Sequence, residues 1–595
     1  GANQSDRLSK CVLPWQQGLG ELPPPAQLRL PDFVRRALGQ ERDAFAAGFF
    51  ARMVFSCLVD ADVLDTERFM NVAQADSRPA FPDLGTLTPR FFQSLEGLER
   101  EADDTRVNRH RRAVRSACEA AAAQVSGFFS LTVPTGGGKT LASMAFALRH
   151  AQEHGMRRIV YVAPFTSIIE QNAAVFRRHL GEDVVLEHHC NLDPERETSA
   201  NRLATENWDA PVIVTTSVQF YESLFANRTA RCRKLHRLGR SVVILDEAQT
   251  LPVNLLKPCL RALKELARNY GTSIVLCTAT QPEIRWRENF DVGLRNVREI
   301  MPDPSALYEE LRRVDVRDLG TLTDAEITRR MREEERVLCI VNTTRHARLL
   351  FEAIGPDDGH FHLSARMCPA HRKGVLDRVR KRLGQPDAVC RVISTQVVEA
   401  GVDLDFPVVF RALAGLDSIA QAAGRCNRNG LLAGHGRTFV FQTEHTSANR
   451  YFAETANCAA QVMALHAKDP LALAAVEQFF RLYYWDQKAR WDEHDILGRF
   501  RLDGHPGAAL PFDFDFATVA DKFRLIDDVA QRAVIVPWGE GGFALCRQLR
   551  AMLAPNREAL RAAQRFSVQV RAPEWNRAVD RKDVTLIFDD LGVLE

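Results

Sequence analysis

Short apolar runs alternate with longer amphipathic segments from about residue 128 to residue 442. The runs are rich in valine, isoleucine and leucine and are shorter than most helices, which is typical of strands buried on both faces of a sheet. Strands of that kind are parallel, and each must be followed by a crossover connection, usually a helix. A proline- and charge-bearing connection near 282–335 separates two sets of runs, so the sequence predicts two parallel-sheet α/β domains in tandem. The runs lie at 128–133, 158–164, 211–216, 241–247 and 273–280 in the first set, and at 336–343, 361–365, 391–396, 407–412 and 437–442 in the second.

The two ends of the chain lack this alternation. The N-terminal part contains a proline-rich stretch at 22–31 and then a helical pattern. The C-terminal part begins with an alanine-rich helical pattern and continues through the aromatic segment 481–491. We therefore predict a helical region before the first α/β domain and an accessory domain after the second. The predicted domains are 1–105, 106–300, 301–450 and 451–595.

Composition restricts the class of protein and its compartment. The 595 residues are 46% hydrophobic and 26% charged, which is typical of globular domains, and the formal net charge of +2 requires any polyanion site to be a local feature. The 13 cysteines contain no CxxC pair and no disulfide-like spacing, which indicates reduced thiols. We find no leader and no uninterrupted apolar stretch long enough to span a bilayer, and therefore expect a cytoplasmic protein without membrane contact.

The segment 133–140, VPTGGGKT, follows the first apolar run and precedes a helical pattern. A glycine-rich turn between a strand and a helix presents backbone N–H groups and a helix N-terminus to phosphate groups. In such a loop the lysine contacts the β- and γ-phosphates, and the threonine hydroxyl contacts Mg²⁺. The segment predicts an ATP site, although Val133 stands where the full pattern has its first glycine. The alternative is a glycine-rich helix start with a chance Lys-Thr pair. The predicted nucleotide-binding residues are Thr135, Gly136, Gly137, Gly138, Lys139 and Thr140.

Two adjacent carboxylates, Asp246 and Glu247, follow four apolar residues at the end of a predicted strand. ATP hydrolysis needs one carboxylate to hold Mg²⁺ and another to orient and deprotonate the attacking water. We assign Asp246 to the metal and Glu247 to the water, because two charges at the end of a buried strand require a cation or another partner. Thr278 and Thr280 end the next predicted β-strand. Their hydroxyls either relay the nucleotide state to a bound nucleic-acid strand or form a turn.

The second predicted domain carries the segment 421–428, QAAGRCNR. Arg425 and Arg428 are three residues apart, so on a helix they share one face. Cations that a neighbouring domain delivers to a γ-phosphate act as arginine fingers and accelerate hydrolysis by about 10³–10⁵. We predict this catalytic role for both arginines; the alternative is an ordinary arginine-bearing surface helix.

Seven segments of the chain resemble, in their order, the motifs of superfamily 2 helicases. The missing first glycine of the phosphate loop is usual in that superfamily. The resemblance covers about residues 106–445 and implies two RecA-like domains that hydrolyse ATP while they move along a nucleic-acid strand. The segments are PTGGGKT, APFTSIIEQ, TTSVQF, DEAQ, TAT, STQVVEAGVD and QAAGRCNRNG.

Within that superfamily the chain resembles the CRISPR-associated helicase–nuclease family of type I interference. The resemblance rests on segments 161–173, 214–228 and 394–406 in the motor, and on 56–69, which is similar to the closing helix of the family's histidine–aspartate nuclease domain. It implies ATP-driven 3′-to-5′ movement on single-stranded DNA. It also implies recruitment by an RNA-guided surveillance complex to the displaced strand of an R-loop, where the full-length family member degrades the target DNA.

The same resemblance implies roles for further residues. Gln249 couples hydrolysis to movement, and Gln421 approaches the γ-phosphate or the attacking water. Gly401 and Asp403 line the nucleotide side of the cleft between the two domains. Short hydroxyl and amide side chains at strand ends are candidates for contacting the backbone of a single strand, with a helix cap or turn as the alternative for each. These candidates are Thr166, Thr215, Thr216, Asn342, Thr343, Ser394 and Thr395.

The nuclease site of that family needs several histidines and aspartates around one or two metal ions, and this chain has no histidine before His110. Residues 1–105 therefore resemble the C-terminal remnant of the nuclease domain. Asp62 matches the domain's last metal ligand, with Asp60 as the less favoured choice. A lone aspartate does not assemble a catalytic metal cluster, so we expect a divalent transition metal only where the nuclease domain is complete, and no DNA cleavage by this chain.

Two other functions are compatible with the same motifs. One is a general RNA or DNA helicase of superfamily 2, which the strand-type dependence of ATPase stimulation separates from a CRISPR helicase. The other is an ATP-gated nucleic-acid clamp, which has no need for Glu247 together with Arg425 and Arg428.

Overall fold

A computed structural model describes residues 29–189, 199–399, 401–445, 450–503, 512–526, 531–588 and 591–595. Most of the proline-rich stretch lies outside these residues. The described chain forms two compact units, Gly1–Ala51 with Phe500–Phe514, and Arg52–Arg499 with Asp515–Glu595. In the smaller unit a short antiparallel strand pair, β14 (Phe500–Arg501) and β15 (Asp513–Phe514), accompanies the N-terminal helices.

The first predicted α/β domain contains a parallel sheet in the order β3-β4-β2-β5-β6-β1-β7. Every strand pair in it is parallel, as the continuous apolar runs predict. Each of the five predicted runs forms a strand, and β3 and β7 are additional strands that the sequence did not predict. The strands are β1 (Phe128–Thr132), β2 (Arg158–Ala163), β3 (Val185–His188), β4 (Val212–Thr216), β5 (Ser241–Asp246), β6 (Ser273–Thr278) and β7 (Arg298–Glu299).

The second predicted α/β domain contains a second parallel sheet, in the order β10-β11-β9-β12-β13-β8. Its five predicted runs all form strands, and β8 at one edge is an additional one. Together the two sheets confirm the predicted fold class of tandem RecA-like domains. The strands are β8 (Val314–Thr321), β9 (Arg336–Ile340), β10 (His360–Leu363), β11 (Cys390–Ser394), β12 (Val408–Ala412) and β13 (Gly436–Gln442).

Helices connect these strands, because parallel neighbours need crossover connections. They also form the N-terminal region and part of the C-terminal region. The helices are α1 (Asp32–Leu38), α2 (Ala44–Met70), α3 (Val72–Asp76), α4 (Leu84–Glu101), α5 (Arg106–Ala121), α6 (Lys139–Glu153), α7 (Thr166–Leu180), α8 (Ser199–Asn207), α9 (Ser217–Phe225), α10 (Thr229–Cys232), α11 (Leu256–Asn269), α12 (Pro304–Glu310), α13 (Asp324–Arg332), α14 (Thr344–Ile354), α15 (Pro369–Leu383), α16 (Leu416–Ala423), α17 (Arg450–Leu465), α18 (Leu473–Asp486), α19 (Phe516–Lys522), α20 (Gly539–Ala551), α21 (Arg557–Gln564) and α22 (Ala572–Asp580).

The strand register brings three predicted motifs to one edge of the first sheet. Thr132, the last residue of β1, pairs with Thr278 at the end of β6. Asp246, the last residue of β5, pairs with Cys277 of β6. The phosphate loop, the carboxylate pair and the following threonine therefore leave the sheet side by side, at the carboxyl ends where parallel sheets bind ligands.

Helices α4 and α5 belong to the hydrophobic core of the first sheet domain. Phe91 and Leu95 of α4 and Val114 and Cys118 of α5 are buried in the same cluster as Phe146 of α6. Burial of large side chains is a main source of stability, so these helices and the sheet stabilise each other. The predicted domain boundary after residue 105 falls between α4 and α5, which both contribute to this core.

Helix α2 qualifies as a candidate membrane span by length and composition, contrary to the sequence expectation, and 56% of its most apolar 18-residue window is buried. Three polar side chains of this helix make buried contacts with protein. Arg52 Nε donates to the carbonyl oxygen of Leu224 at 3.0 Å, and Ser56 Oγ donates to that of Cys232 at 2.6 Å. The Asp60 carboxylate pairs with Arg233, 2.9 Å from its Nε. These contacts are typical of a core helix.

The C-terminal region combines α17 and α18 with a mixed sheet in the order β17-β16-β19-β18. Among the aromatic side chains predicted either to stack bases or to form core, Tyr483, Tyr484 and Trp491 are buried, and Trp491 Nε1 donates to the Tyr484 carbonyl oxygen at 3.1 Å. Trp485 is exposed. Core packing is thus confirmed for three of the four. The strands are β16 (Gln531–Ile535), β17 (Ser567–Arg571), β18 (Val584–Ile587) and β19 (Leu591–Leu594).

A buried ion pair between Glu399 and Arg411 yields a stability prediction for the second domain. Arg411 Nε lies 2.7 Å from Glu399 Oε1, and both side chains are at most 5% exposed. Removing one member of a buried pair leaves the other charge without compensation, at a cost of about 3–5 kcal/mol. We expect Glu399→Ala to lower the free energy of unfolding by that amount in urea denaturation. The control is Glu334→Ala, which breaks the half-exposed pair with Arg437 and should cost less than about 1 kcal/mol. Equal losses of unfolding free energy for the two variants would contradict the prediction.

Candidate active site

The loop between β1 and α6 has the backbone of a phosphate-binding turn. Gly136 and Gly138 have φ values of 79° and 89°, in the left-handed region that side chains other than glycine rarely occupy. A Cβ atom on Gly137 would lie 2.5 Å from Val133 Cγ1, so this position has no room for a side chain. The valine that replaces the first glycine of the full pattern is therefore packed against the loop.

Lys139 begins helix α6 and points toward the carboxylates at the end of β5. Its Nζ lies 3.7 Å from Glu247 Oε1. This ammonium is buried and makes no hydrogen bond within the described residues, which leaves its three donors free for a ligand. Burial acts to lower the pKa of Lys139, but Glu247 and then Asp246 outweigh burial and raise it, so the cation persists. A buried, charged and unbonded ammonium is suited to bind phosphate oxygens.

The two carboxylates differ in surroundings. Asp246 accepts a 2.7 Å hydrogen bond from the Tyr161 hydroxyl, which itself accepts one from Asn172 Nδ2 at 3.2 Å. Burial, and next the neighbouring Glu247 carboxylate, raise the pKa of Asp246 to about 6. Burial acts to raise the pKa of Glu247 as well, but the Lys139 ammonium outweighs it and the pKa is lowered. The water-activating candidate is thus held ionised.

A chain of hydrogen bonds leads from Glu247 to the end of β6. Glu247 has a left-handed backbone with φ of 51°, which turns its side chain back toward Gln249. Gln249 Nε2 donates to Glu247 Oε2 at 2.6 Å, and Gln249 Oε1 accepts from the Thr278 hydroxyl. The Thr280 backbone N–H donates to Thr278 Oγ1 at 3.0 Å. The three predicted coupling residues are therefore linked to one another and to the carboxylate.

The second domain brings Gln421, Arg425 and Arg428 to the same cavity. Gln421 Nε2 lies 3.5 Å from Glu247 Oε2. The buried Arg425 donates to the carbonyl oxygens of Val398 and Glu399 at 3.0 and 2.5 Å, and burial lowers its pKa to about 9. Arg428 Nε lies 2.9 Å from Asp403 Oδ1.

The expectation that both arginines lie on one helix face is wrong. Helix α16 ends at Ala423, Gly424 caps it, and the arginines follow in a turn. A Cβ atom on Gly424 would lie 2.7 Å from the Thr135 hydroxyl oxygen, so glycine lets this turn approach the phosphate loop. The turn, not a helix face, directs both arginines to the cavity.

The cavity has a volume of about 500 Å³ and lies between the two sheet domains. Its walls include the phosphate loop, the carboxylate pair and Gly401, together with Asn108 and Arg111 of helix α5. Arg111 Nε donates to the carbonyl oxygen of Gly136 at 3.0 Å. The sequence analysis assigned no role to Arg111 or Tyr161: segment 161–173 begins at Tyr161, but its sequence does not show that this hydroxyl contacts Asp246. Asp403 is 64% exposed and reaches the cavity through Arg428.

Gly401 marks a close approach of the two domains. Its φ is 70°, and a Cβ atom there would lie 2.3 Å from the Ser167 hydroxyl oxygen at the start of helix α7. The predicted location beside the nucleotide cleft agrees with this geometry. Any side chain at this position would push the second domain away from α7.

Four of the seven candidate DNA contacts have side chains that the fold itself uses or buries. The Thr215 and Ser394 hydroxyls are fully buried and donate to the carbonyl oxygens of His188 and Thr395. Thr395 is 3% exposed. Asn342 donates to the Leu413 carbonyl oxygen at 2.8 Å and accepts from Arg411 at 2.6 Å. Thr215, Ser394 and Asn342 thus already bond to other groups of the protein, and Thr395 is buried.

The other three candidates begin helices. Thr216 Oγ1 accepts from the Gln219 N–H at 3.0 Å, and Thr343 Oγ1 accepts from the His346 N–H at 3.1 Å, so both are helix N-caps. Thr166 is the first residue of α7 and is partly exposed. All three candidates therefore lie at helix N-termini, which are positions where proteins commonly bind phosphates.

The nuclease candidate Asp62 is exposed on α2, and the described residues place no group of histidines or acids around it that could hold a metal ion. The less favoured Asp60 is buried, where Arg233 and, at 3.2 Å, Asn207 Nδ2 bond to it. Asp60 therefore has a structural role that connects α2 to the first sheet domain.

Comparisons with known proteins agree with this geometry. A family model of the DEAD/DEAH box helicase matches residues 112–287, and one of the CRISPR-associated nuclease/helicase Cas3, C-terminal, matches residues 333–431. The curated Cas3 of Haloferax volcanii is 27% identical over 455 residues, with 56% of this chain and 48% of the relative covered. The curated Cas3 of Methanothermobacter thermautotrophicus is 26% identical over 338 residues, covering 50% and 38%.

Solved structures match over more of the chain. The crystal structure of T. fusca Cas3-AMPPNP has a TM-score of 0.61 at 15% identity, covering 85% of this chain and 68% of that one. The Cas3-ADP structure from T. fusca has a TM-score of 0.58 at 14% identity, covering 81% and 66%. At this identity the likeness shows the fold.

Residues 112–287 match the DEAD/DEAH box helicase family, and the two parallel sheets form tandem RecA-like domains. The chain aligns with the two curated Cas3 proteins over 455 and 338 residues. The chain is similar to the CRISPR-associated nuclease/helicase Cas3 over part of its length. It spans less than half the length of the two curated relatives, 48% and 38%.

Proposed function

We propose that this chain is an ATP-dependent translocase and helicase that moves along single-stranded DNA in type I CRISPR interference. The proposal rests on the convergence of two domains on one cavity, with Lys139 and Glu247 from the first and Gln421 and Arg425 from the second. A protein that only binds nucleotide needs the lysine but not a carboxylate and an arginine on opposite sides of a cleft. The similarity of residues 333–431 to the Cas3 family model, and the curated Cas3 relatives, support DNA as the track and interference as the process.

The first-domain side of the cavity fits ATP with Mg²⁺. Thr140 and Asp246 would hold the ion, because a hydroxyl and a carboxylate supply the hard oxygen ligands that it prefers. Bound Mg²⁺ neutralises charge on the β- and γ-phosphates. The unbonded Nζ of Lys139 supports this fit, since it offers a fixed positive charge to the same phosphates.

Hydrolysis is proposed to proceed on the carboxylate side of the cavity. Glu247 orients the attacking water and accepts its proton, and Gln249 fixes the carboxylate in place through the 2.6 Å hydrogen bond. Gln421, 3.5 Å from the same carboxylate, is placed to contact the water or the γ-phosphate when the cleft closes. Arg425 stabilises the charge that develops on the transferred phosphoryl group.

Movement is proposed to follow from closing and opening of the cleft. Hydrogen bonds from Glu247 through Gln249 to Thr278 connect the reacting carboxylate to the end of β6. Loss of the γ-phosphate would therefore change the contacts at the end of that strand. Thr166 and Thr216 at helix starts of the first domain and Thr343 in the second are the proposed contacts to the DNA backbone. If the two domains bind and release the DNA strand in alternation, the strand moves relative to the protein.

The proposed partner is an RNA-guided surveillance complex that presents the displaced strand of an R-loop, in the cytoplasm and without membrane contact. The similarity to Cas3 supports this choice. A general superfamily 2 helicase remains the alternative enzyme, and an ATP-gated clamp the alternative binding protein. Binding of the chain to the surveillance complex with and without an R-loop tests recruitment. Equal binding to both contradicts it.

We expect single-stranded DNA to raise kcat for ATP hydrolysis by about tenfold or more, and RNA of the same sequence to raise it less. The reason is coupling: a strand that binds the closed cleft more tightly than the open one favours the catalytic arrangement, typically by about 1–3 kcal/mol. Steady-state phosphate release with each strand measures the effect, and Lys139→Ala, which lacks the phosphate-binding ammonium, gives the background. Stronger stimulation by RNA favours the general helicase, and nucleotide binding without turnover favours the clamp.

A further inference from the structure

Three side chains with metal-binding chemistry converge at one edge of the second domain, away from the ATP cavity. Asp324 begins α13, His346 lies in the first turn of α14, and His445 follows β13. His346 Nε2 is 2.9 Å from Asp324 Oδ1, and His445 Nε2 is 2.9 Å from Oδ2. The ligand atoms of the group all lie within 4.8 Å of one another. None of the three lines the ATP cavity.

We propose that Asp324, His346 and His445 form a binding site for a transition-metal dication of the zinc class. Imidazole nitrogen and carboxylate oxygen are ligands that such ions take at about 2.0–2.2 Å, commonly with three protein ligands and an open position. Tetrahedral ligands at those lengths are about 3.3 Å apart. The present histidine–carboxylate distances of 2.9 Å are a few tenths of an ångström shorter than that spacing.

The surroundings give access from solvent on one side. The His346 side chain is 1% exposed. The side chains of His445 and Asp324 are 23% and 28% exposed, so an ion can enter from that side.

A fourth ligand is close. Glu444 Oε1 lies 3.9 Å from His445 Nε2, and its side chain is 81% exposed and free to rotate. Rotation toward the ion would add a second carboxylate and balance the dication's charge. Two histidines with two carboxylates form a neutral site, which lowers the cost of partly burying the ion.

Metal binding would join three elements that are separate in sequence. The ion would connect the start of α13, the first turn of α14 and the segment after β13. Because the His346 N–H bonds to Thr343 Oγ1, it would also fix the helix start that carries this candidate DNA contact. The site itself does not depend on the proposed function, since it rests on the three ligands alone.

The test is Co²⁺ binding to the whole chain after treatment with EDTA and dialysis, with excess Mg²⁺ present to occupy weaker carboxylate sites. Co²⁺ reports through its visible absorption, and Zn²⁺ competition follows. We expect one tight equivalent in the unmodified chain. His445→Asn and Asp324→Asn should each weaken it by about 10- to 100-fold or more. His435→Asn is the matched control, because His435 pairs with Asp315 at 3.0 Å without belonging to a group of three among the described residues.

Thermal unfolding provides a second measurement that does not require the variants to be fully stable. A ligand that binds only the folded state raises Tm, so Zn²⁺ should raise the Tm of the unmodified chain by a few degrees and Mg²⁺ should not. The rise should persist in His435→Asn and disappear in His445→Asn. Absence of a tight Co²⁺ equivalent in the unmodified chain overturns the proposal, and so does equal binding by His445→Asn and His435→Asn. Either result would leave the cluster as a hydrogen-bonded His–Asp–His contact.

Discussion

Replacement of Glu247 by glutamine is expected to lower kcat for ATP hydrolysis by about 10²–10⁴, the usual contribution of a positioned general base. Glutamine preserves the shape of the side chain but does not accept a proton from water. ATP binding should persist, because the phosphate loop and Lys139 are unchanged. Loss of the negative charge 3.7 Å from Nζ should even strengthen the lysine's interaction with phosphate.

Single-turnover phosphate release and the Kd of a fluorescent ATP analogue separate chemistry from binding in this variant. Glu182→Gln is the control, because that side chain lies in the same domain and is 82% exposed. Its kcat should equal that of the unmodified chain. If Glu247→Gln retains full kcat, the water-activating role belongs to another residue.

Replacement of Arg425 by lysine is expected to lower kcat by about 10³ or more, the lower end of the range for arginine fingers. Lysine keeps a positive charge but loses the planar fork with several donors. In the structure that fork is held by the carbonyl oxygens of Val398 and Glu399, which direct the guanidinium into the cavity. Lysine has no second nitrogen with which to keep these bonds and reach a phosphate at the same time.

The measurement is kcat at saturating ATP and DNA, with Tm as the check on folding, because Arg425 also supports local structure. Arg437→Lys is the control, since Arg437 is half-exposed outside the cavity and pairs with Glu334. A kcat within about threefold of the unmodified value, at unchanged Tm, would show that Arg425 acts only as a structural residue. The catalytic cation of the second domain would then be Arg428.

The strands that the sequence predicted are those in which burial dominates the pattern. All ten apolar runs form strands, and nine of them have a neighbouring strand on each side, where both faces are covered and most residues are apolar. The tenth, β10, is an edge strand. The unpredicted strands are at sheet edges and break that rule. β3 contains Glu187 and His188, β8 is half exposed with Asp315 and Arg317, and β7 has only two residues. Pairing with a neighbour, which no local pattern encodes, decides such strands.

The residues of the candidate ATP site could be picked out from the sequence where the chemistry is local in the chain. A phosphate loop and a carboxylate pair each need adjacent residues at a strand end, so their spacing is preserved in the chain. The threonines and the amide proposed to contact DNA were less predictable, because whether such a side chain faces solvent depends on the pleat and on neighbouring elements. Thr215 and its neighbour Thr216 show this difference: one hydroxyl is buried against His188, and the other caps a helix.

The histidine cluster of the second domain had no sequence signal at all. Asp324 and His346 are separated by 22 positions, and Asp324 and His445 by 121. Metal motifs are recognisable when ligands share a helix or a short loop, but here three elements of one sheet domain supply one ligand each. Only the order of strands brings them together, since β8 and β13, the strands that precede two of the ligands, are neighbours.

The shared core of α4, α5 and the first sheet affects how motors of this kind can be divided or fused. The helicase family model begins at residue 112, yet Phe91 and Leu95 lie in the same hydrophobic cluster as the helix that follows the phosphate loop. A truncation designed from the motif boundaries would remove part of that cluster and open one wall of the nucleotide cavity. An autonomous motor module, whether for expression or for transplantation onto another effector, therefore begins before Leu84 and includes both helices.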